Sequence, residues 1–162
     1  MAAKKKAAKV DISEVRVECF MLCNFAQVEA GKLNIIGGGW TELIVPEFPV
    51  QFGFFLAIKV AIPVAHKELF GQLRIRLVED EKGDEIDDRP IDLNVSELDI
   101  VDPEIRSVAF ASAVLMQLEI ARPGRFHSQL WIADQMITRS GFAVRGQETG
   151  RISADEAHET ID

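Results

Sequence analysis

Residues 51–62 read Gln51-Phe52-Gly53-Phe54-Phe55-Leu56-Ala57-Ile58-Lys59-Val60-Ala61-Ile62. Phe52, Phe54, Leu56, Ile58, Val60 and Ile62 fall on one parity, and Gln51, Gly53, Phe55, Ala57, Lys59 and Ala61 on the other. Side chains of an extended strand alternate between its two faces, so successive apolar residues at period two mark a strand buried on one side. This stretch predicts the central core strand.

Upstream, Val15, Val17, Cys19, Met21, Cys23 and Phe25 alternate with Glu14, Arg16, Glu18, Phe20, Leu22 and Asn24. The pattern predicts a half-buried strand whose second face also turns apolar at Phe20 and Leu22. A loop, a helix or another subunit is expected to cover that second face. Residues 29–32 (Glu-Ala-Gly-Lys) form a polar connection, and residues 33–40 a second strand interrupted by Gly37, Gly38 and Gly39. Pro46 and Pro49 make residues 45–49 an extended crossover, since proline lacks a donor and biases its predecessor away from helix.

Downstream, residues 63–68 read as a loop. Leu73, Ile75 and Leu77 alternate with Gln72, Arg74 and Arg76 in a fourth strand. Residues 79–88 form an acidic hairpin turn, and Ile91, Leu93 and Val95 a fifth strand. In residues 107–120, Val108, Phe110, Val114, Met116, Leu118 and Ile120 share one parity and Ala109, Ala111 and Ala113 the other. That is a strand pattern, although alanine also permits a helix. After the turn at Arg122-Pro123-Gly124, Phe126, Leu130 and Ile132 alternate with Arg125, His127, Gln129 and Trp131, and residues 133–135 close a hairpin into 136–144. The expectation is an all-β fold: a seven- or eight-stranded β-sandwich, jelly-roll-like or Greek-key. The long connections at 41–50, 63–70 and 96–106 favour crossings between two sheets over a simple meander.

The chain has 162 residues, which fits one domain. Residues 11–146 are expected to form the sandwich, with a basic disordered tail at 1–10 and an acidic disordered tail at 147–162. The formal charge is −8, with +4 on the first ten residues, −3 on residues 145–162 and −9 between. A body this acidic repels phosphate backbones, so no nucleic-acid partner is expected. Lys9 and Asp11 break any apolar run after Lys4, Lys5 and Lys6, so no signal peptide is read. Residues 44–62 contain Pro46, Glu47, Pro49 and Lys59 and alternate, so no membrane span is read either.

Cys19 and Cys23 lie four residues apart, about 13 Å along a strand, whereas a disulfide needs Cα atoms within about 7 Å. Their spacing is not Cys-x-x-Cys, and no second pair completes a zinc site. Buried reduced thiols and a cytoplasmic location are expected.

The run Cys23-Asn24-Phe25-Ala26 leading into Gly31-Lys32-Leu33-Asn34-Ile35-Ile36-Gly37-Gly38-Gly39-Trp40 is similar to a family of small bacterial proteins known only as a domain of unknown function. Pro123-Gly124-Arg125-Phe126 resembles that family's turn into its last hairpin. The resemblance spans about residues 14–144. It implies a β-sandwich and brings no activity, cofactor or site residues.

Catalytic patterns are missing. There is no Gly-x-Ser-x-Gly, and His66, His127 and His158 are scattered, with His127 on the polar parity of its strand. No enzyme and no catalytic residue is expected. Gly37, Gly38 and Gly39 lack the Lys and Ser/Thr of a phosphate loop and suit a structural bulge, with an anion or ligand loop as the lesser reading. The acids Glu79, Asp80, Glu81, Asp84, Glu85, Asp87 and Asp88 suit a solvated, aggregation-blocking turn, with calcium as the lesser reading. No metal site and no cofactor is expected.

Trp40, Phe55 and Trp131 fall on or near non-core faces, where aromatic residues mark partner contacts. The expected function is a non-enzymatic interaction or assembly module, including a structural component of a larger particle. The alternative is a sandwich that binds a small ligand or metal ion. The expected assembly is a homo-oligomer, most simply a dimer, with Phe20 and Leu22 in or beside its interface and Trp40 and Trp131 as further contacts. The sequence names no protein partner.

Overall fold

The computed structural model describes residues 12–80, 84–91 and 107–147. Within them the chain forms β1 (Arg16–Glu29), β2 (Lys32–Gly38), β3 (Glu42–Val45) and β4 (Val50–Pro63). A 3-10 helical segment (Val64–Gln72) leads to β5 (Leu73–Glu79) and β6 (Asp84–Pro90). Then come β7 (Ser107–Ile120), β8 (Gly124–Ile132) and β9 (Gln135–Gly146). The strands form two packed sheets, ordered β2-β1-β4-β7 and β3-β9-β8-β5-β6. The fold is the expected all-β sandwich, with nine strands among the described residues.

Local chemistry sets the hairpins. Ala30 and Gly31 both take positive φ, 48° and 71°, between β1 and β2. This backbone matches the twist of a two-residue hairpin. The chain changes sheet between β2 and β3, β3 and β4, β4 and β5, β6 and β7, and β7 and β8. The long connections therefore do cross the sandwich, and β3 is a short parallel partner of β9 inside one of them.

The core lies between the sheets. Phe54, Leu56, Ile58, Val60 and Ile62 of β4 are buried there, with Met116 and Leu118 of β7, Leu73, Ile75 and Leu77 of β5, and Phe126, Leu130 and Ile132 of β8. β4 is a central strand, flanked by β1 and β7 over long antiparallel ladders. Residues 107–120 are a strand despite their alanines, because fourteen consecutive residues pair with β4 and the apolar parity faces the core.

Two local expectations change. The segment after Pro63 is a 3-10 turn rather than a loop, and its Leu69 and Phe70 are buried in the core, with the Phe70 ring edge-on to Phe110. The acidic stretch is not one solvated turn. Its second half is β6, paired antiparallel with β5. The tails and the strand expected at residues 91–95 fall largely outside the described residues.

Candidate functional site

The strongest departure from simple alternation is in β1. Val17 pairs with Val60, but Cys19 pairs with Lys59, so the register shifts and Glu18 is an extra residue. An inserted residue moves every later side chain to the other face. Phe20 and Leu22 thus pair with Ile58 and Leu56 on the core side. Leu22 is 1% exposed and Phe20 packs on the core, so neither sits on the outer face. The outer face receives Cys19, Met21 and Cys23 instead, opposite Lys59, Ala57 and Phe55.

That outer face of the four-stranded sheet is apolar. Ile36 of β2 pairs with Phe25 of β1, the Phe25 ring meets Phe55 of β4 edge-on at 5.4 Å, and Phe55 pairs with Leu115 of β7. A ridge of large side chains therefore crosses all four strands. Ile36 is 64% exposed, Leu115 46% and Phe25 43%. Beside the ridge lies a floor of small groups that β2 partly covers: Leu33 and Ile35 pack in one cluster with Ala57 and Ala113, and Ala57 is fully buried. Ala57 pairs with Met21 on one side and Ala113 on the other, and Ala111 pairs with Lys59 in the next row. Cys23, Ala26 and Ala57 are buried in this second cluster, away from the main core. Polar side chains close both ends. Lys59 bonds Glu18 at 2.7 Å at one end, and Gln51, Gln117 and Glu119 occupy the other. The Lys59 hydrogen bond holds the Glu18 carboxyl below its usual range.

Of the aromatic residues singled out from the sequence, Phe55 joins this surface and Trp40 and Trp131 do not. Trp40 packs against the core, its ring edge-on to Phe52, Phe54 and Phe142, with its indole N–H buried and unpartnered among the described residues. Trp131 lies on the opposite sheet, where Arg76 stacks 4.3 Å from the ring centroid and Nε1 donates to Gln129. The three glycines serve the backbone. Gly37 and Gly39 take φ of 61° and 79°, and a Cβ on Gly37 would meet Asn24 Nδ2 at 2.5 Å. A Cβ on Gly38 would lie 2.9 Å from Met21 Sδ and from Ile35.

Both cysteines are free, Cys23 buried and Cys19 half-buried. Each thiol donates to a β4 carbonyl, Cys19 to Ala57 and Cys23 to Phe55. Burial pushes both thiols above their ordinary range. Glu79, Glu85 and Asp88 near the β5–β6 hairpin face arginines. Arg74 bonds Asp88 at 2.8 Å, Arg76 lies near Glu85 and Asp88, and Glu79 takes Arg122. Among the described residues no group of three or more His, Cys, Asp or Glu is placed to hold a metal ion. Among them, too, no helix is long and apolar enough to cross a membrane.

Sequence reading missed the ridge and floor because it placed the wrong parity of β1 outward. The available signal was the opposite parity of residues 109–113. An antiparallel strand with one solvated face normally carries polar residues there, and this one carries Ala109, Ala111 and Ala113.

The model of a protein family described as a family of unknown function (DUF6941) matches residues 18–145, and the chain belongs to that family. No curated protein matches it.

Proposed function

We propose that this family member is a non-enzymatic assembly module that pairs with a second copy of itself through the outer face of its four-stranded sheet. The observation that carries this reading is the exposed apolar group of Ile36, Phe25 and Leu115 around Phe55. A two-fold contact brings one patch against itself, so the patch must complement its own shape. Scattered exposed apolar residues need no explanation, but a contiguous patch on a soluble protein marks a contact.

The apolar centre with charged and amide ends follows the usual core-and-rim arrangement. The free thiols on this face suit a reducing compartment, the cytoplasm.

Sedimentation velocity of the full chain from 1 to 50 µM tests the proposal. A concentration-dependent dimer is expected, with Ile36→Lys and Leu115→Lys each shifting it to monomer while the far-UV spectrum is unchanged. A chain that stays monomeric throughout, or a dimer that both substitutions leave intact, overturns it.

A further inference from the structure

The outer face of the five-stranded sheet holds a depression that pairing through the other sheet leaves open. Its floor is Gly141 and Ala143, the small outward residues of β9. Arg125 and His127 of β8 form one wall, and Thr41, Glu42 and Arg145 the other, around a cavity of about 370 Å³. An adjoining depression of about 350 Å³ shares Asp80, Arg125, Ala143 and Arg145, so the two form one trough. Each volume falls within the range of small-molecule sites.

The polar groups are positioned unequally. Arg145 is neutralised by Glu42 at 2.8 Å. The Asp80 carboxylate faces His127 Nδ1, which makes that nitrogen the donor and leaves Nε2 for a second partner, as the acceptor when the ring is neutral. Gly141 makes room for this ring: a Cβ there would lie 3.0 Å from His127 Cδ2 and 3.1 Å from Nε2. Arg125 has no ion-pair partner among the described residues. An unneutralised guanidinium thus stands beside an imidazole held by Asp80, over a floor without bulky side chains.

We propose that this trough binds a small oxyanion that also carries a hydroxyl, such as a hydrogen phosphate group or a hydroxy acid. The planar guanidinium of Arg125 matches two oxygens of a carboxylate or phosphate. With the ring neutral, His127 Nε2 accepts from the hydroxyl, and Gly141 acts as a positioning residue for the ring. A polyanion does not fit, because Glu42 and Asp80 flank Arg125, the one trough cation without an ion-pair partner among the described residues, in a body of strong negative charge.

The test is an NMR titration of the full chain with inorganic phosphate and with malate at constant ionic strength, following the Arg125 side-chain N–H and the His127 ring. Saturable shifts of both signals with at least one anion are expected. Saturation by phosphate alone assigns a phosphate-bearing ligand, and by malate alone a carboxylate-bearing one. Arg125→Gln should weaken binding at least about tenfold, the effect of losing even one of its two charge-assisted hydrogen bonds. Gly141→Ala should weaken it several-fold by displacing the ring. Arg139→Gln, which removes an equal charge outside the trough on the same sheet face, should leave it within twofold. No saturation with either anion, or equal loss in Arg125→Gln and Arg139→Gln, overturns the proposal.

Discussion

The register shift at Glu18 ranks two neighbouring side chains in the opposite order from simple alternation, and that ranking can be measured. Unbroken alternation from Val15 puts Met21 in the core and Leu22 outside. The structure puts Leu22 in the core at 1% exposure and Met21, half-buried, on the outer face. Truncating a buried leucine to alanine removes its transfer energy and leaves a cavity, at about 2–5 kcal/mol. Leu22 sits between β4 and the opposite sheet and pairs with Leu56, itself fully buried, so the site has little room to collapse. We expect about 3 kcal/mol for Leu22→Ala, a fall in Tm of roughly 10 °C for a domain of this size. Met21→Ala should cost about 1 kcal/mol or less, because its side chain is only half-buried and faces outward. Urea unfolding at a protein concentration giving one sedimenting species, with the m-value checked for constancy, gives both numbers. If Met21→Ala costs as much as Leu22→Ala, the bulge is not where the register places it, and the outer face described above is wrong.

Gly37→Ala should destabilise by about 1–3 kcal/mol, since its φ of 61° strains an L side chain and the new Cβ meets Asn24. Gly31→Ala adds only the backbone term at φ 71° in open space, so equal urea midpoints for the two variants would contradict the close approach. Ellman's reagent should find two thiols per chain after unfolding without reductant. In the native protein Cys23 should react far more slowly than free cysteine, since burial raises its pKa; rapid native reaction of both thiols would argue against their burial. Asp88 and Glu18 are held below the usual carboxylate range by hydrogen bonds from Arg74 and Lys59. Each binds fewer protons folded than unfolded, so its stabilisation is present above the unfolded carboxylate pKa and drains away as pH falls through the folded value. Tm should hold near neutral pH and drop below about pH 4, with a shallower acid limb in Arg74→Gln; an identical limb would mean the Arg74–Asp88 pair adds nothing.

The central strand was legible because its pattern is long and unbroken. Six apolar residues at period two have one reading, and β4 is where they place it. Residues 107–120 and 124–132 were legible for the same reason. β1 misled because a bulge is written in no residue type. Glu18 looks like any outward glutamate, and only its pairing with neighbours shows that the parity changes after it. The 3-10 segment was hidden by brevity, since two buried residues, Leu69 and Phe70, in a nine-residue connection set no period. His127 was legible only as a residue on the polar parity of its strand. Its contact with Asp80 depends on β5 and β8 being neighbours, and strand order is a property of the whole sheet. The trough floor was equally out of reach, because Gly141 and Ala143 become a floor only beside Arg125 and His127.

The two outer faces of the sandwich carry different chemistry, and this separates the two proposals. The ridge and its floor lie on the four-stranded sheet and the trough on the five-stranded one, with no residue in common. Packed sheets stand about 10 Å apart, so the core lies between the two sites. A dimer closed through the four-stranded sheets leaves both troughs facing outward. Ile36→Lys should therefore abolish pairing while leaving the phosphate or malate titration unchanged. Arg125→Gln should weaken the titration at least about tenfold while leaving the sedimentation profile unchanged. A loss of fold would move both readouts together, so a substitution on either face that alters both measurements would show that the face had been read as a contact when it serves to hold the sandwich together.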